Sequence, residues 1–254
     1  MTITQAVISG ALQGVTEFFP ISSSGHLVIL HSIFGIKEPQ LIFDLFLHLG
    51  TLISILLFFR WDIIDMFGKD RRFLVSIAIA SIPTFIIGYL FGDAIEHIFA
   101  MPKVVGAMLV VTAGWLTAAS LYSRIPDAGF NEAPGVLKSL IVGIAQAVAI
   151  LPGISRSGST IATGMLVGLS RETAFKFSFL LAIPAIGGAC LFKMLKVDTG
   201  ALAGQMPQFL YGSLAAMFVG ILTIKVLLEI VKENRLYIFG IYCFVVGLLT
   251  IILL

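Results

Sequence analysis

Charge is scarce in this chain. Of 254 residues only 12% are Asp, Glu, Lys or Arg, and the formal net charge is +2. So small an excess gives no basic face for nucleic acid, and a mean hydropathy of +1.05 leaves too little polar surface for a soluble domain. Cysteine is nearly absent. Cys190 and Cys243 lie inside apolar runs, where they read as packing residues and not as a disulfide, a metal pair or a nucleophile. No basic stretch precedes the first apolar run, which Gln13, Glu17 and Pro20 interrupt, so no cleavable signal peptide is expected. What is plentiful is hydrophobicity, at 58% of residues. The chain reads as an all-α polytopic membrane protein forming one integral membrane domain.

Polar residues in such a chain need a reason. The stretch Leu151-Pro152-Gly153-Ile154-Ser155-Arg156-Ser157-Gly158-Ser159-Thr160 sits between two long apolar runs. An Arg at the bilayer centre costs ~2.5–3.5 kcal/mol on insertion scales unless something anionic meets it. Pro152-Gly153 ends the preceding helix, and Ser155 suits the N-cap of the next. A loop feeding a helix N-terminus, with free N–H groups and a guanidinium, suits a phosphate. The plainer alternative is a Ser/Gly helix-packing site with Arg156 paired to an internal carboxylate.

A second stretch matches the first. Shifted by 133 positions, Gln13 falls on Gln146, Gly114 on Gly247, and Ile21-Ser22-Ser23-Ser24-Gly25 on Ile154-Ser155-Arg156-Ser157-Gly158. This points to an internal duplication, with repeat 1 at about residues 1–122 and repeat 2 at about 136–254. Two polar breaks at matched positions place a site at the repeat interface.

Residues 4–19 and 23–34 are helical runs too short to span a bilayer, as are 136–151 and 156–169. Each pair reads as a re-entrant hairpin with a polar tip. Full spans are expected near 42–59, 73–92, 103–122, 173–192, 208–231 and 235–254, with Pro83 a candidate kink and 123–135 a polar loop. The expected fold is therefore an inverted-topology repeat of six transmembrane helices and two re-entrant helical hairpins. Basic residues test the orientation. The loops 60–72, 123–138, 170–176 and 232–235 carry Arg60, Lys69, Arg71, Arg72, Arg124, Lys138, Arg171, Lys176, Lys232 and Arg235; the opposite side carries Lys37, Lys103, Lys193 and Lys196. The positive-inside rule puts the first group in the cytoplasm and both termini outside. The hairpins then enter from opposite faces and their tips meet near the midplane.

These residues resemble a known family. Gln13-x-x-x-Glu17, Pro20-x-Ser22-Ser23-x-Gly25-His26 and Pro152-Gly153-x-Ser155-Arg156-Ser157-x-x-Thr160 are similar to the undecaprenyl-diphosphate phosphatases, also called the bacitracin-resistance family. The resemblance runs the length of the chain and includes Phe43-Asp44 and Phe177-Ser178-Phe179-Leu180-Leu181 followed by Pro184. It implies hydrolysis of a polyprenyl diphosphate to the monophosphate, recycling the lipid carrier of cell-wall glycans, with the site open to the outer face of the cell membrane. Many members carry Glu where this chain has Gln13, which removes one carboxylate from any metal site.

The roles expected follow from chemistry. Gln13 and Glu17 are one helical turn apart and share a face. Glu17 needs a partner in a membrane: Arg156 as a structural ion pair, a cation, or a proton. As a functional residue it is a base or a metal ligand, with Gln13 beside it and Mg²⁺ or Ca²⁺ as the cofactor. Ser23 is the candidate nucleophile, and His26, three residues on, can share its face as base or acid, or pack as a polar cap. Arg156, Ser155, Ser157 and Thr160, with Ser22, Ser24 and Gly25, form the expected phosphate cradle. Asp44 and His48 are either outer support for the site or a structural hydrogen bond; His31 and His97 receive no role, and Lys225 snorkels. Ser23 and Arg156 should come within one phosphate's reach, roughly 4–8 Å. Sequence alone leaves direct water attack and a phosphoserine intermediate open. It also leaves open a transporter or flippase of a polyprenyl phosphate, since broken helices in inverted repeats serve transporters too. The partners expected are the lipid substrate and membrane lipids, no nucleic acid, and a homodimer as an open option.

Overall fold

The computed structural model describes residues 1–36, 40–98, 101–122, 133–195 and 205–253. Lys37, Arg124, Lys196 and the side chain of His97 lie outside the described residues. The described residues fold into eleven helices: α1 (Ile3–Thr16), α2 (Ser23–Ile33), α3 (Leu41–Phe58), α4 (Arg60–Phe67), α5 (Arg71–Ile98), α6 (Pro102–Tyr122), α7 (Val136–Val148), α8 (Arg156–Leu166), α9 (Arg171–Met194), α10 (Met206–Lys232) and α11 (Tyr237–Leu253). The four expected short helices are present as α1, α2, α7 and α8. Thr2 and Gln5 cap α1 reciprocally, and Ser155 caps α8 through the Gly158 N–H.

Among the described residues α5, α6, α9 and α10 are long and apolar enough to cross a membrane, and the bent pair α3–α4 makes a fifth span if taken together. The chain is therefore a multi-pass membrane protein. α11, expected as the sixth, is apolar with 17 described residues. One element departs from expectation. The segment read as the start of a loop at 60–72 is helix α4, turned 70° from α3. Trp61, Ile64 and Phe67 are all more than half exposed on it, alongside Arg60, Asp62 and Asp65, as on a helix lying along an interface. Pro83 and Pro184 lie inside α5 and α9, each of which continues as one helix.

Close packing depends on small residues. A Cβ on Gly10 would lie 2.1 Å from the Gly212 carbonyl oxygen, joining α1 to α10; one on Gly143 would lie 2.3 Å from the Ala80 carbonyl oxygen, joining α7 to α5. The pairing is reciprocal. The first short helix of the chain packs on a long helix of the second half, the second half's first short helix on a long helix of the first half, and α6 packs on α11.

Side-chain contacts sort the helix ends. Lys176 pairs with Asp62 at 2.5 Å, Lys232 with Glu172 at 3.7 Å, Lys138 donates to the Gly168 carbonyl at 3.1 Å and Asn234 to that of Ser120 at 3.0 Å. These contacts gather the segments around 60–72, 120, 138, 168–176 and 232–235 at one end. Gln208 bonds the Met1 carbonyl and His31 lies 3.9 Å from Asp44 at the other. So the start of α1 and the end of α2 lie by the contacts at one end, and the start of α7 and the end of α8 by those at the other.

Candidate active site

The two turns touch. A Cβ on Gly158, in the first turn of α8, would sit 2.9 Å from Pro20 Cβ. The first turn is built under strain: Ser22 has φ +68°, a left-handed conformation that costs a non-glycine residue about 1–2 kcal/mol. It ends α1 and starts α2 immediately with Ser23. The second turn uses Gly153, φ +94°, where any Cβ would strike the Val105 carbonyl oxygen at 2.4 Å. Thr112 of α6 holds that turn, donating to the Gly153 carbonyl at 3.1 Å and accepting from the Ser155 N–H at 3.1 Å.

Glu17 stands where the turns meet, its side chain 8% exposed. Oε1 accepts from Arg156 Nη2 at 2.8 Å. Oε2 accepts from Ser23 Oγ at 2.7 Å and from Gln13 Nε2 at 3.2 Å. One carboxylate thus joins Ser23 to Arg156, and the expected approach of these two residues is met. The ion pair with Arg156 is real, and it coexists with a hydroxyl aimed at a carboxylate. Arg156 Nη1 is buried with no partner in the structure, as is Gln13 Oε1. Buried polar atoms without partners are rare and mark a place for a ligand or water. Gly25, in the first turn of α2, faces open space, with nothing within 4 Å of where a Cβ would stand.

Other expected residues are placed differently. His26 does not bond Ser23. Its Nδ1 lies 2.8 Å from the Ser22 carbonyl oxygen, so that N–H donates to it, and Nε2 lies 2.6 Å from the Tyr242 hydroxyl on α11. Ser155, Ser157 and Thr160 are at most 2% exposed. Ser155 Oγ accepts from the Gly158 N–H and meets Ser157 Oγ at 3.2 Å, while Thr160 Oγ1 meets Ser178 Oγ at 2.5 Å. These hydroxyls are engaged inside the protein, where they shape the turn that carries Arg156. Ser22 contributes its backbone carbonyl and its strained φ, and Ser24 lies in the first turn of α2, intermediate in exposure.

Sequence reasoning undervalued His48. Its Nδ1 lies 2.7 Å from the Asp44 carbonyl oxygen and its Nε2 lies 3.7 Å from Glu17 Oε2. The signal was the His48 position itself, one turn after Asp44, but nothing local to α3 announces a partner on α1.

A resident metal ion does not fit the side chains alone. Among the described residues no three His, Cys, Asp or Glu side chains gather where they would hold one. Glu17 is the carboxylate of this cluster, and it already accepts from three donors. A cation carried in on phosphate oxygens fits better: Gln13 Oε1 is an available oxygen, and Mg²⁺ takes one or two protein oxygens and draws its other ligands from phosphate and water.

The family model described as Bacitracin resistance protein BacA matches residues 6–249. The chain belongs to this BacA family. Relatives agree along the full length. The undecaprenyl-diphosphatase of Desulfosudis oleivorans is 42% identical, covering 97% of each chain. That of Methanosphaera stadtmanae is 42% identical over all of this chain and 98% of its own, and that of Carboxydothermus hydrogenoformans 41% over the same shares. A BacA chain with its paired polar turns at Glu17 and Arg156 therefore matches bacterial and archaeal relatives end to end.

Proposed function

We propose that this BacA chain is an undecaprenyl-diphosphatase, hydrolysing the lipid diphosphate to the monophosphate and inorganic phosphate. The single observation that carries the reading is Glu17, whose two oxygens hold a serine hydroxyl from one turn and a guanidinium from the other. A hydroxyl hydrogen-bonded to a carboxylate is the arrangement of a nucleophile beside its base. An Arg with one free, buried nitrogen is a phosphate anchor.

The chemistry runs as follows. Arg156 Nη1 and the N–H groups opening α2 and α8 hold the terminal phosphoryl. Ser23 Oγ attacks its phosphorus, the Oγ–P bond forms, the anhydride P–O bond breaks, and the lipid monophosphate leaves. Glu17 accepts the Ser23 proton. Water then attacks the phosphoserine: Glu17 returns the Ser23 proton to Oγ as the Oγ–P bond breaks, takes the proton of the water in its place, and releases it to solvent with inorganic phosphate. Phosphoryl transfer asks mainly for placement and charge, and both are present. A divalent cation, Mg²⁺ or Ca²⁺, belongs to the proposal as a passenger of the diphosphate, with Gln13 Oε1 and Glu17 as its protein contacts; it would neutralise phosphate charge.

The reciprocal helix pairing and the turning back of α1–α2 and α7–α8 from opposite ends support an inverted repeat with two re-entrant hairpins, α3, α5 and α6 in one half and α9, α10 and α11 in the other. The clustered basic loops support a cytoplasmic face at α4 and, with it, the reading of a site open to the outside of the cell membrane. A cysteine at Lys69, whose side chain is 89% exposed, should react with an impermeant reagent only from the cytoplasmic side. Labelling from outside would reverse the orientation.

The deciding experiment measures phosphate release by the purified protein from a polyprenyl diphosphate, with and without EDTA. Release that acid quenching traps as phosphoserine at Ser23 is expected, with loss of rate in EDTA restored by Mg²⁺ or Ca²⁺. Lipid binding or transbilayer movement without release would make the protein a carrier.

A further inference from the structure

One feature plays no part in the phosphate chemistry: an open groove between α1 and α11. α1 packs mainly on α10 and α11 mainly on α6, so the two do not close on each other. The gap measures about 340 Å³, and its walls include Leu12, Val15, Phe19, Ile238, Phe239 and Tyr242. Phe19 and Phe239 pack against each other along it, 4.9 Å between ring centres. One end of the groove is the first turn itself, since Ile21 and His26 also line it. α11 is fastened there twice: the Tyr242 hydroxyl meets His26, and the Cys243 thiol donates to the Pro20 carbonyl at 3.3 Å.

We infer that this groove seats the isoprene units of the substrate tail nearest the diphosphate, with Phe239 and Tyr242 as the residues that recognise the chain; the inference rests on the diphosphatase reading above. Continuity with the site is the first reason. A diphosphate held between Ser23 and Arg156 must send its tail out of the bundle. Toward α8 the way is closed, because Gly158 abuts Pro20 and Ser155, Ser157, Ser159 and Thr160 are buried. Toward α1 and α11 lies the groove, whose lining reaches Ile21 and His26 of the first turn. The second reason is chemistry. An isoprene unit is a flat branched alkene, and aromatic rings with aliphatic neighbours bury it and stack on its face. The third is size. The groove is far too small for a long polyprenyl chain, so only the proximal units enter and the remainder lies in lipid, as a membrane enzyme requires. His26 is then explained as well: it turns from Ser23 to Tyr242 because it forms the mouth of the tail groove.

The test compares isopentenyl diphosphate, with a single isoprene, and farnesyl diphosphate, with three, in the unsubstituted protein and in Val15→Trp and Ile238→Trp. Both positions line the groove, and neither belongs to the Ser23–Glu17–Arg156 cluster. Expected is a rise of about tenfold in KM for farnesyl diphosphate, with a clearly smaller rise for isopentenyl diphosphate, which offers the groove one isoprene in place of three. Ile238 is half exposed, so that variant keeps its fold where a bulky residue on α1 fails. Equal changes for both substrates, or no change for either, overturn the inference. Failure of the diphosphatase reading is distinguishable: the unsubstituted protein then releases phosphate from neither. In that case a photoreactive farnesyl diphosphate analogue decides, labelling of Ile238–Tyr242 supporting the groove and labelling elsewhere, or a cross-link from Ile238 to a second copy, overturning it.

Discussion

In Glu17→Gln, phosphate release falls by about a thousandfold or more while the lipid diphosphate still binds. The substitution keeps the shape of the side chain and removes its charge and basicity. The neighbours make the loss steeper than that of a simple base. Glu17 accepts from Arg156, Ser23 and Gln13 at 2.8, 2.7 and 3.2 Å. An amide has one oxygen, so whichever way it turns its NH₂ meets a donor: the guanidinium on one side, or the hydroxyl and the Gln13 amide on the other. The buried Arg156 also loses its counter-charge, and breaking a buried pair costs about 3–5 kcal/mol. Rate and binding are read separately, by phosphate release and by competition with inorganic diphosphate. A wild-type rate would exclude both the base and the cation-contact roles.

Arg156→Lys lowers turnover by about a hundredfold or more, with insertion and fold preserved. Arg156 serves two anions from one rigid plane: Nη2 on Glu17 and Nη1, buried and without a partner in the structure, toward the phosphate position. A lysine ammonium is a single point at the end of a flexible stem. It satisfies Glu17 or the phosphate in a given geometry and orients neither. Because the Glu17 contact can persist, the thermal unfolding midpoint should move by only a few degrees. Affinity for inorganic phosphate as a product inhibitor should fall together with the rate. Near-normal turnover would show that the guanidinium is not the anchor.

Much of this site is legible in the sequence because the repeat writes it twice. The offset that brings Ser23 onto Arg156 predicts their meeting, and Pro20 and Pro152-Gly153 mark both turns through backbone chemistry alone. What the sequence does not reveal depends on contacts between elements far apart. The His26–Tyr242 bond joins residues 216 positions apart, so the spacing of Ser23 and His26 suggested a local pair that the fold does not form. The serines around Arg156 looked like a cradle because a hydroxyl reads the same whether it faces a ligand or its own helix. In the structure these hydroxyls are buried, and Thr160 meets Ser178 of α9. Residues 60–67, expected as part of a loop, form α4, whose apolar residues Trp61, Ile64 and Phe67 alternate with Arg60, Asp62 and Asp65; a helix lying along an interface needs apolar residues on one side only.

The Glu17–Arg156 bond also bears on how the protein is made. The two residues are separated by 139 positions, and synthesis proceeds from the N-terminus. Glu17 therefore enters the membrane well before its cation exists. A carboxylate without a counter-charge in that setting is most stable carrying a proton. The first turn thus waits without its counter-charge until α8 arrives with the Arg156 guanidinium. Completion of this cluster therefore waits for the second half of the chain, and a chain that stops short of Arg156 leaves Glu17 without the guanidinium that pairs with it.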